Sequence, residues 1–135
     1  MKLCLAVIIG MLTVSSVYAD ALLLFDGETG REFAGCLNCN RYDSASVCNR
    51  YGDYGSRYSD DSIWRRYGKY GSRYEDNSPW NRYGEGLRIV DAKGNYYGRF
   101  SKNRAHRSRI PFVIKLTELH DEMDLAELRD LFCEN

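Results

Sequence analysis

Polar and apolar positions along the chain change period several times, and each change marks an element. Leu3 to Val14 is almost wholly apolar. Ala21-Leu22-Leu23-Leu24-Phe25 is a short apolar run closed by the turn residues Asp26-Gly27-Glu28-Thr29-Gly30, and Arg31-Glu32-Phe33 can pair back on it. A run this short reads as strand or as buried helix by pattern alone. From Tyr42 to about Gly86 the period is 16 residues. Tyr42–Arg57 reads YDSASVCNRYGDYGSR, Tyr58–Arg73 reads YSDDSIWRRYGKYGSR, and Tyr74 onward reads YEDNSPWNRYGEG. Tandem periodicity of this kind means units that stack, because one unit is too short to bury a face alone.

Within each copy the residue types predict a short helix. In the middle copy Ser59, Asp60, Asp61 and Ser62 are N-cap and first-turn types. Ile63, Trp64 and Tyr67 follow at helical spacing, and Gly68 suits a C-cap. The expectation is a helix of about two turns over residues 60–67. Equivalent helices are expected over residues 43–51 and 76–83, with Pro79 in the early turn that tolerates it. Tyr70 to Tyr74 is expected as an extended connector, being too rich in Gly for a helix interior. Trp64, Trp80 and the shared tyrosines would pack between copies, and Cys48 stands in the register of the two tryptophans. Arg precedes Tyr at residues 41–42, 50–51, 57–58, 66–67, 73–74 and 82–83. On a helix such neighbours do not face each other, so Arg-on-ring contacts are expected between turns or copies.

After Gly86 the alternation Leu87-Arg88-Ile89-Val90, the turn Asp91 to Asn95 and the return Tyr96 to Phe100 predict a hairpin. Residues 101–109 form a polar, basic loop. Ile110 to Leu116 has the composition of a third strand, with Pro111 at an edge or start. Asp124 with Glu127 begins a capping box, and Leu125, Leu128, Leu131 and Phe132 mark one helical face. The predicted fold class is α+β: tandem 16-residue units of short helical turns and Gly-rich connectors, a small antiparallel sheet and a C-terminal helix. Residues 20–135 form one small domain, with a Cys-rich start and repeats over 36–86 and hairpin, strand and helix over 87–135.

The N-terminal apolar run has the layout of a secretory signal peptide. Lys2 supplies the positive start, and Val17-Tyr18-Ala19 offers a cleavage site before Asp20. The run is too short to favour a spanning helix over a cleaved signal. Phe33-Ala34-Gly35-Cys36 has the composition of a lipoprotein acylation box, but Asp26, Glu28, Arg31 and Glu32 separate it from the apolar run. The expected location is therefore exported, periplasmic or extracellular. Charge points to no polyanionic partner, because 19 basic residues balance 19 acidic ones. Locally the balance is uneven. Residues 87–115 carry eight basic residues against Asp91, and residues 117–135 carry seven acids against Arg129. The two segments are expected to lie side by side and neutralise each other.

Once Cys4 leaves with the signal, Cys36, Cys39, Cys48 and Cys133 remain. An even number in an exported chain reads as two disulfides, with three connectivities open. A zinc site or a redox-active C-x-x-C is disfavoured by the oxidising compartment and by the lack of a strand-then-helix pattern around it. Cys48 is expected to pin the first copy to Cys36 or Cys39, and Cys133 to tie the last helix to the Cys36–Cys48 cluster.

Catalysis finds little purchase. His106 sits in a basic loop and His120 among acids, with no motif placing either beside a nucleophile. The carboxylates occupy turn and cap positions, the Ca²⁺-loop spacing is missing, and no phosphate loop or dinucleotide fingerprint occurs. The expectation is a non-enzymatic chain with no cofactor and no metal. Tyr and Arg together present flat apolar faces and fork-like donors that suit a glycan or a protein of the cell envelope. Trp64 and Trp80 are assigned to the core, since residues 36–86 hold few aliphatics. The candidate binding surface is Tyr54, Arg57, Tyr58, Tyr70, Arg73 and Tyr74, with Tyr54 and Tyr70 expected to face out. A structural or inhibitory protein acting on another protein is the second reading. Nucleic-acid binding through Arg99 to Lys115 is opposed by export and balanced charge.

The Tyr42–Gly86 array, the turn in Asp91…Gly94-Asn95-Tyr96-Tyr97-Gly98 and the Cys36-Leu37-Asn38-Cys39-Asn40 cluster resemble a group of small exported bacterial proteins of uncharacterised function with tandem Y-G-x-Y-G-S-x-Y repeats. The match covers about half the chain. The resemblance implies location and layout, and carries no chemistry.

Overall fold

The computed structural model describes residues 20–134, so the expected signal peptide lies outside the described residues. Four short strands form one antiparallel sheet: β1 (Leu23–Asp26), β2 (Phe33–Cys36), β3 (Leu87–Val90) and β4 (Tyr96–Phe100), in the order β2-β1-β3-β4. Two helices follow, α1 (Pro111–Leu119) and α2 (Leu125–Cys133). The α+β class holds. The two hairpins flank the array in sequence and meet where Leu24 opposes Ile89. Asp26 ends β1 and organises the first turn. Burial pushes its carboxyl up, but bonds from the Glu32, Thr29 and Arg31 backbone N–H groups and the Thr29 hydroxyl outweigh it and hold the pKa at about 2.

Between residues 37 and 86 the described chain contains neither helix nor strand. The helix expected over 60–67, and its counterparts over 43–51 and 76–83, are replaced by a chain of β-turns. The carbonyls of Asn40, Asp43, Ser46 and Asn49 each accept from the N–H three residues on. Gly52 accepts from Ser56, a step of four, and the same series begins again at Ser56, Ser59, Ser62 and Arg65. Gly68 makes the next step of four, to Ser72, before Ser72, Glu75, Ser78 and Asn81 repeat the steps of three. Four steps of three and one of four close the 16-residue period.

The side chains read as helix caps are the cause of these turns. Ser46, Ser62 and Ser78 accept from the N–H of Cys48, Trp64 and Trp80, and Asn40, Asn49, Ser56, Ser72 and Asn81 accept likewise two residues on. A side chain that satisfies its own backbone every third residue competes with the i→i−4 ladder and wins here. The step of four is taken where Gly55 or Gly71 passes another corner. A Cβ on Gly71 would stand 1.7 Å from the Arg65 carbonyl oxygen, and one on Gly55 2.0 Å from that of Asn49.

Successive copies are locked through their tryptophans. Trp64 Nε1 donates to the Val47 carbonyl and Trp80 Nε1 to that of Ile63, each at 2.7 Å, and the two indoles lie 6.0 Å apart. Phe100 of β4 packs edge-on against Trp80, and Phe132 of α2 lies 6.5 Å from Trp64. The assignment of Trp64 and Trp80 to the core is correct. Burying two indole side chains removes on the order of 150–250 Å² each from water, which supplies a core that the aliphatics of this region cannot.

The expected third strand is α1 instead. Pro111 occupies the first helical turn, where its missing N–H costs nothing, and Ile110, Val113, Leu116 and Thr117 form the buried face. The C-terminal helix is as expected: the Asp124 carboxylate accepts from the Glu127 N–H at 2.9 Å. The disulfides are Cys36–Cys39 and Cys48–Cys133. Cys48 therefore reaches α2 rather than the Cys36/Cys39 pair, and the position that holds an indole in the other copies holds the end of the last helix. The Arg129 guanidinium reinforces this junction with bonds to the Cys48 and Gly55 carbonyls.

The acidic C-terminal segment neutralises the array more than the basic segment. Glu134 pairs with Arg41 and Arg50, Asp130 with Arg50, and Asp121 with Arg82. Among the described residues Lys102–Asp121 is the one ion pair that joins the two segments expected to face each other. Arg88 and Arg99 of the basic segment are spent on the Gly27 carbonyl.

Candidate functional site

The array exposes two rows of tyrosines. Tyr42, Tyr58 and Tyr74 form one, Tyr51, Tyr67 and Tyr83 the other, and all six are 71–96% exposed. Each is the third residue of a β-turn whose second residue is Arg. The first residue of the turn (Asn40, Ser56, Ser72, Asn49 or Asn81) binds the tyrosine N–H, so for five of the six the backbone carrying the ring is fixed by a side-chain bond. Tyr67 follows Arg65 in place of Asn or Ser.

Of the six candidate residues named from sequence, four lie on this face: Arg57, Tyr58, Arg73 and Tyr74. The other two do not. Tyr70 is buried, and Tyr54 is half-buried with its ring edge-on to Phe33 at 5.0 Å. Both belong to the step-of-four turn that runs under the corners, which is why they point inward. The Tyr70 hydroxyl has no hydrogen-bond partner of good geometry. Burial first and the nearby Glu32 carboxylate second push its ionisation far up, and burial does the same more weakly for Tyr54. Tyr67, expected to pack inside with Ile63 and Trp64, is 84% exposed.

Tyr42, the counterpart of Tyr58 and Tyr74, completes the first row, and Tyr51, Tyr67 and Tyr83 form the second, which the helix reading assigned to a packed face. Two Arg-Tyr pairs per 16 residues, each preceded by a mostly Asn or Ser position, are the signal that finds them. The expectation that adjacent Arg and Tyr cannot stack also fell with the helix. At a turn corner the Arg57 guanidinium lies 5.0 Å from the Tyr58 ring centroid and donates to its hydroxyl at 2.7 Å, and Arg66 lies 5.7 Å from the Tyr67 ring. Among the described residues Arg57, Arg66 and Arg73 pair with no carboxylate, whereas Arg41, Arg50 and Arg82 do.

The start of α2 and the α1–α2 junction form the other wall of the hollows along this face. His120 stacks flat on Trp80, with centroids 4.7 Å apart and planes within 7°, and its Nδ1 faces the Lys102 ammonium at 3.0 Å. Burial, then Lys102 and nearby arginines, hold its pKa at about 4, so the imidazole is neutral at pH 7. The Asp121 carboxylate pairs with Lys102 and is held below the usual carboxylate range by that contact. His106 is exposed in the loop after β4. All four described cysteines are in disulfides, and among the described residues no three His, Cys, Asp or Glu side chains gather as metal ligands. No helix among them is long and apolar enough to cross a membrane.

Comparison with family models, with curated proteins and with solved structures returns no match for this chain.

Proposed function

We propose that the protein is an exported, non-enzymatic binding module that engages a component of the cell envelope, a glycan or a protein, through its Tyr/Arg face. One observation carries this reading: six tyrosines, each behind an arginine, stand in solvent on a frame whose core is already filled by Trp64, Trp80 and Tyr70. Side chains that the fold does not need, held on corners that side-chain bonds fix, have their ordering cost already met before a partner arrives. Two disulfides accord with an oxidising compartment. The test is recovery of envelope material by the immobilised protein. Wall polymers and envelope extracts are expected to be retained by the native chain and lost by Tyr58→Ala/Tyr74→Ala at unchanged Tm. Retention of nothing by the native chain refutes the reading. A protein that works by self-assembly would instead show a molar mass rising with concentration in light scattering.

A further inference from the structure

The two tyrosine rows enclose a continuous groove, and its charge and chemistry are not those of the molecule as a whole. Three hollows of about 670, 310 and 580 Å³ succeed one another along the array. The first two share Arg66, Asp124 and Leu125, and the last two share Arg73 and Tyr74. Tyr51 and Tyr58 stand in the first, Tyr67 and Tyr74 in the second, Tyr74 and Tyr83 in the third. The first two hollows are lined by five arginines (Arg50, Arg57, Arg66, Arg73 and Arg129) against two carboxylates, Asp124 and Asp130. The sequence is neutral overall. The groove is therefore a local positive feature, and among the described residues three of its guanidinium groups, Arg57, Arg66 and Arg73, pair with no carboxylate.

We infer that this groove binds an extended acidic polysaccharide in which uncharged and carboxylate-bearing sugar units alternate. The inference rests on the binding-module reading and names its ligand class. A run of successive hollows fits an extended chain better than a compact ligand. Exposed tyrosine rings on each wall offer flat faces to the C–H faces of pyranose rings. The free guanidinium groups offer paired donors to carboxylates, the geometry in which Arg exceeds Lys. Asp124, which pairs with no cation among the described residues, accepts from sugar hydroxyls and repels a chain charged at every unit. That last feature separates this ligand from a nucleic acid, whose phosphates recur at each nucleotide and whose binding depends on neutralising many of them. An acidic peptide is the poorer fit, since protein hot spots centre on apolar pockets and these hollows are lined mainly by arginines and by tyrosines with guanidinium groups beside them.

The oxidised protein is titrated calorimetrically with four probes: an oligosaccharide of alternating glucuronate and N-acetylglucosamine, a neutral chitin oligosaccharide of equal length, oligodeoxythymidylate and polyglutamate. The alternating uronate chain is expected to bind most tightly. Arg66→Ala weakens it by about tenfold, the scale of one charge-assisted bond. Arg57→Ala/Arg66→Ala/Arg73→Ala weakens it by about a hundredfold or more, and Tyr51→Ala/Tyr58→Ala also weakens it. Tm is followed for each variant, and Arg66→Lys separates loss of the fork from loss of charge. Equal binding of the neutral chitin chain, indifferent to the arginines, overturns the acidic ligand and leaves the binding-module reading standing. Tighter binding of the oligonucleotide or of polyglutamate overturns the glycan class. Binding of none of the four overturns the inference, while the envelope pull-down judges the module reading separately.

Discussion

The Cys48–Cys133 disulfide should dominate the stability of this chain, and the Cys36–Cys39 bond should matter far less. The two differ in the loop they close, 85 residues of separation against 3. In the chain-entropy model the longer loop is worth about 4.5 kcal/mol at 25 °C and the shorter about 1.5 kcal/mol. A domain of this size is stable by only about 5–15 kcal/mol, so the first figure is a large share and the second is not. The longer bond also holds α2 where Phe132 meets Trp64, Leu128 is buried and Arg129 reaches the Cys48 carbonyl. Cys48→Ala/Cys133→Ala and Cys36→Ala/Cys39→Ala would be compared by urea unfolding, each with its own fitted m, because loss of a crosslink expands the unfolded chain. The first is expected to lose about 4 kcal/mol or more, with amides of residues 125–133 exchanging well before those of the sheet. The second is expected to lose less than half as much. Equal losses, or a larger loss for the Cys36/Cys39 pair, would show that native-state packing rather than loop closure sets the contribution of these bonds.

Tyr70→Phe should raise stability by about 1 kcal/mol, because it removes a buried hydroxyl that has no partner and keeps the ring; a loss in thermal unfolding would show that Glu32 satisfies the phenol. Gly71→Ala should cost about 3 kcal/mol, the upper end for overpacking, since its Cβ meets the Arg65 carbonyl. Gly94→Ala, where a Cβ meets nothing and only the φ of +87° opposes it, should cost about 1–2 kcal/mol in the same assay. His120 has a folded pKa of about 4 against 6.5 unfolded, so its contribution is complete above pH 6.5 and is lost as pH falls towards 4. Discounted for partial exposure, the loss is about 2 kcal/mol, and His120→Phe should flatten the slope of stability against pH over that window. Tyr51→Ala, Tyr67→Ala and Tyr83→Ala should each shift unfolding by less than about 0.5 kcal/mol, whereas Trp80→Ala should cost about 3–5 kcal/mol.

How far the fold is legible varies by element, and the differences have physical reasons. The hairpin over residues 87–100 and the helix begun by Asp124 follow from alternation and a cap, signals that act within a few residues. Ile110 to Leu116 is misread as a strand because its β-branched and aromatic content was weighed above the position of Pro111, which starts a helix as readily as it borders a sheet. Within the array, Ser and Asp before an apolar pair signal a helix N-terminus or a turn equally well. The arbiter is the neighbouring spacing: Asn40, Asp43, Ser46 and Asn49 recur every third residue, which a helix of 3.6 residues per turn cannot use and a chain of β-turns requires. The period of 16 stands out because whole motifs repeat, whereas the period of three inside it is carried by single Asn, Asp and Ser positions. Two disulfides and a tie from Cys133 to the Cys36–Cys48 cluster were legible, but the choice of Cys48 was not, because Cys48 and Cys133 are brought together by packing of α2 on the array.

Correcting the local period also reassigns every tyrosine, and with them the candidate site. A helix would place residues three and four apart on one face, so Tyr67 would join Ile63 and Trp64 inside. In the chain of β-turns Ile63 and Trp64 share one buried corner, and Arg66 and Tyr67 share the next, which stands in solvent and lets them touch. The step of four then carries Lys69 and Tyr70 back under the corner, where Lys69 pairs with Glu32 and Tyr70 closes the core. Frame and face thus occupy different residues of the same 16. Ser62, Trp64, Gly71 and their equivalents make the coil, and the Arg-Tyr corners can vary without disturbing it. A face built this way can change its corner pairs one at a time, at a stability cost that the exposed rings predict to be close to zero.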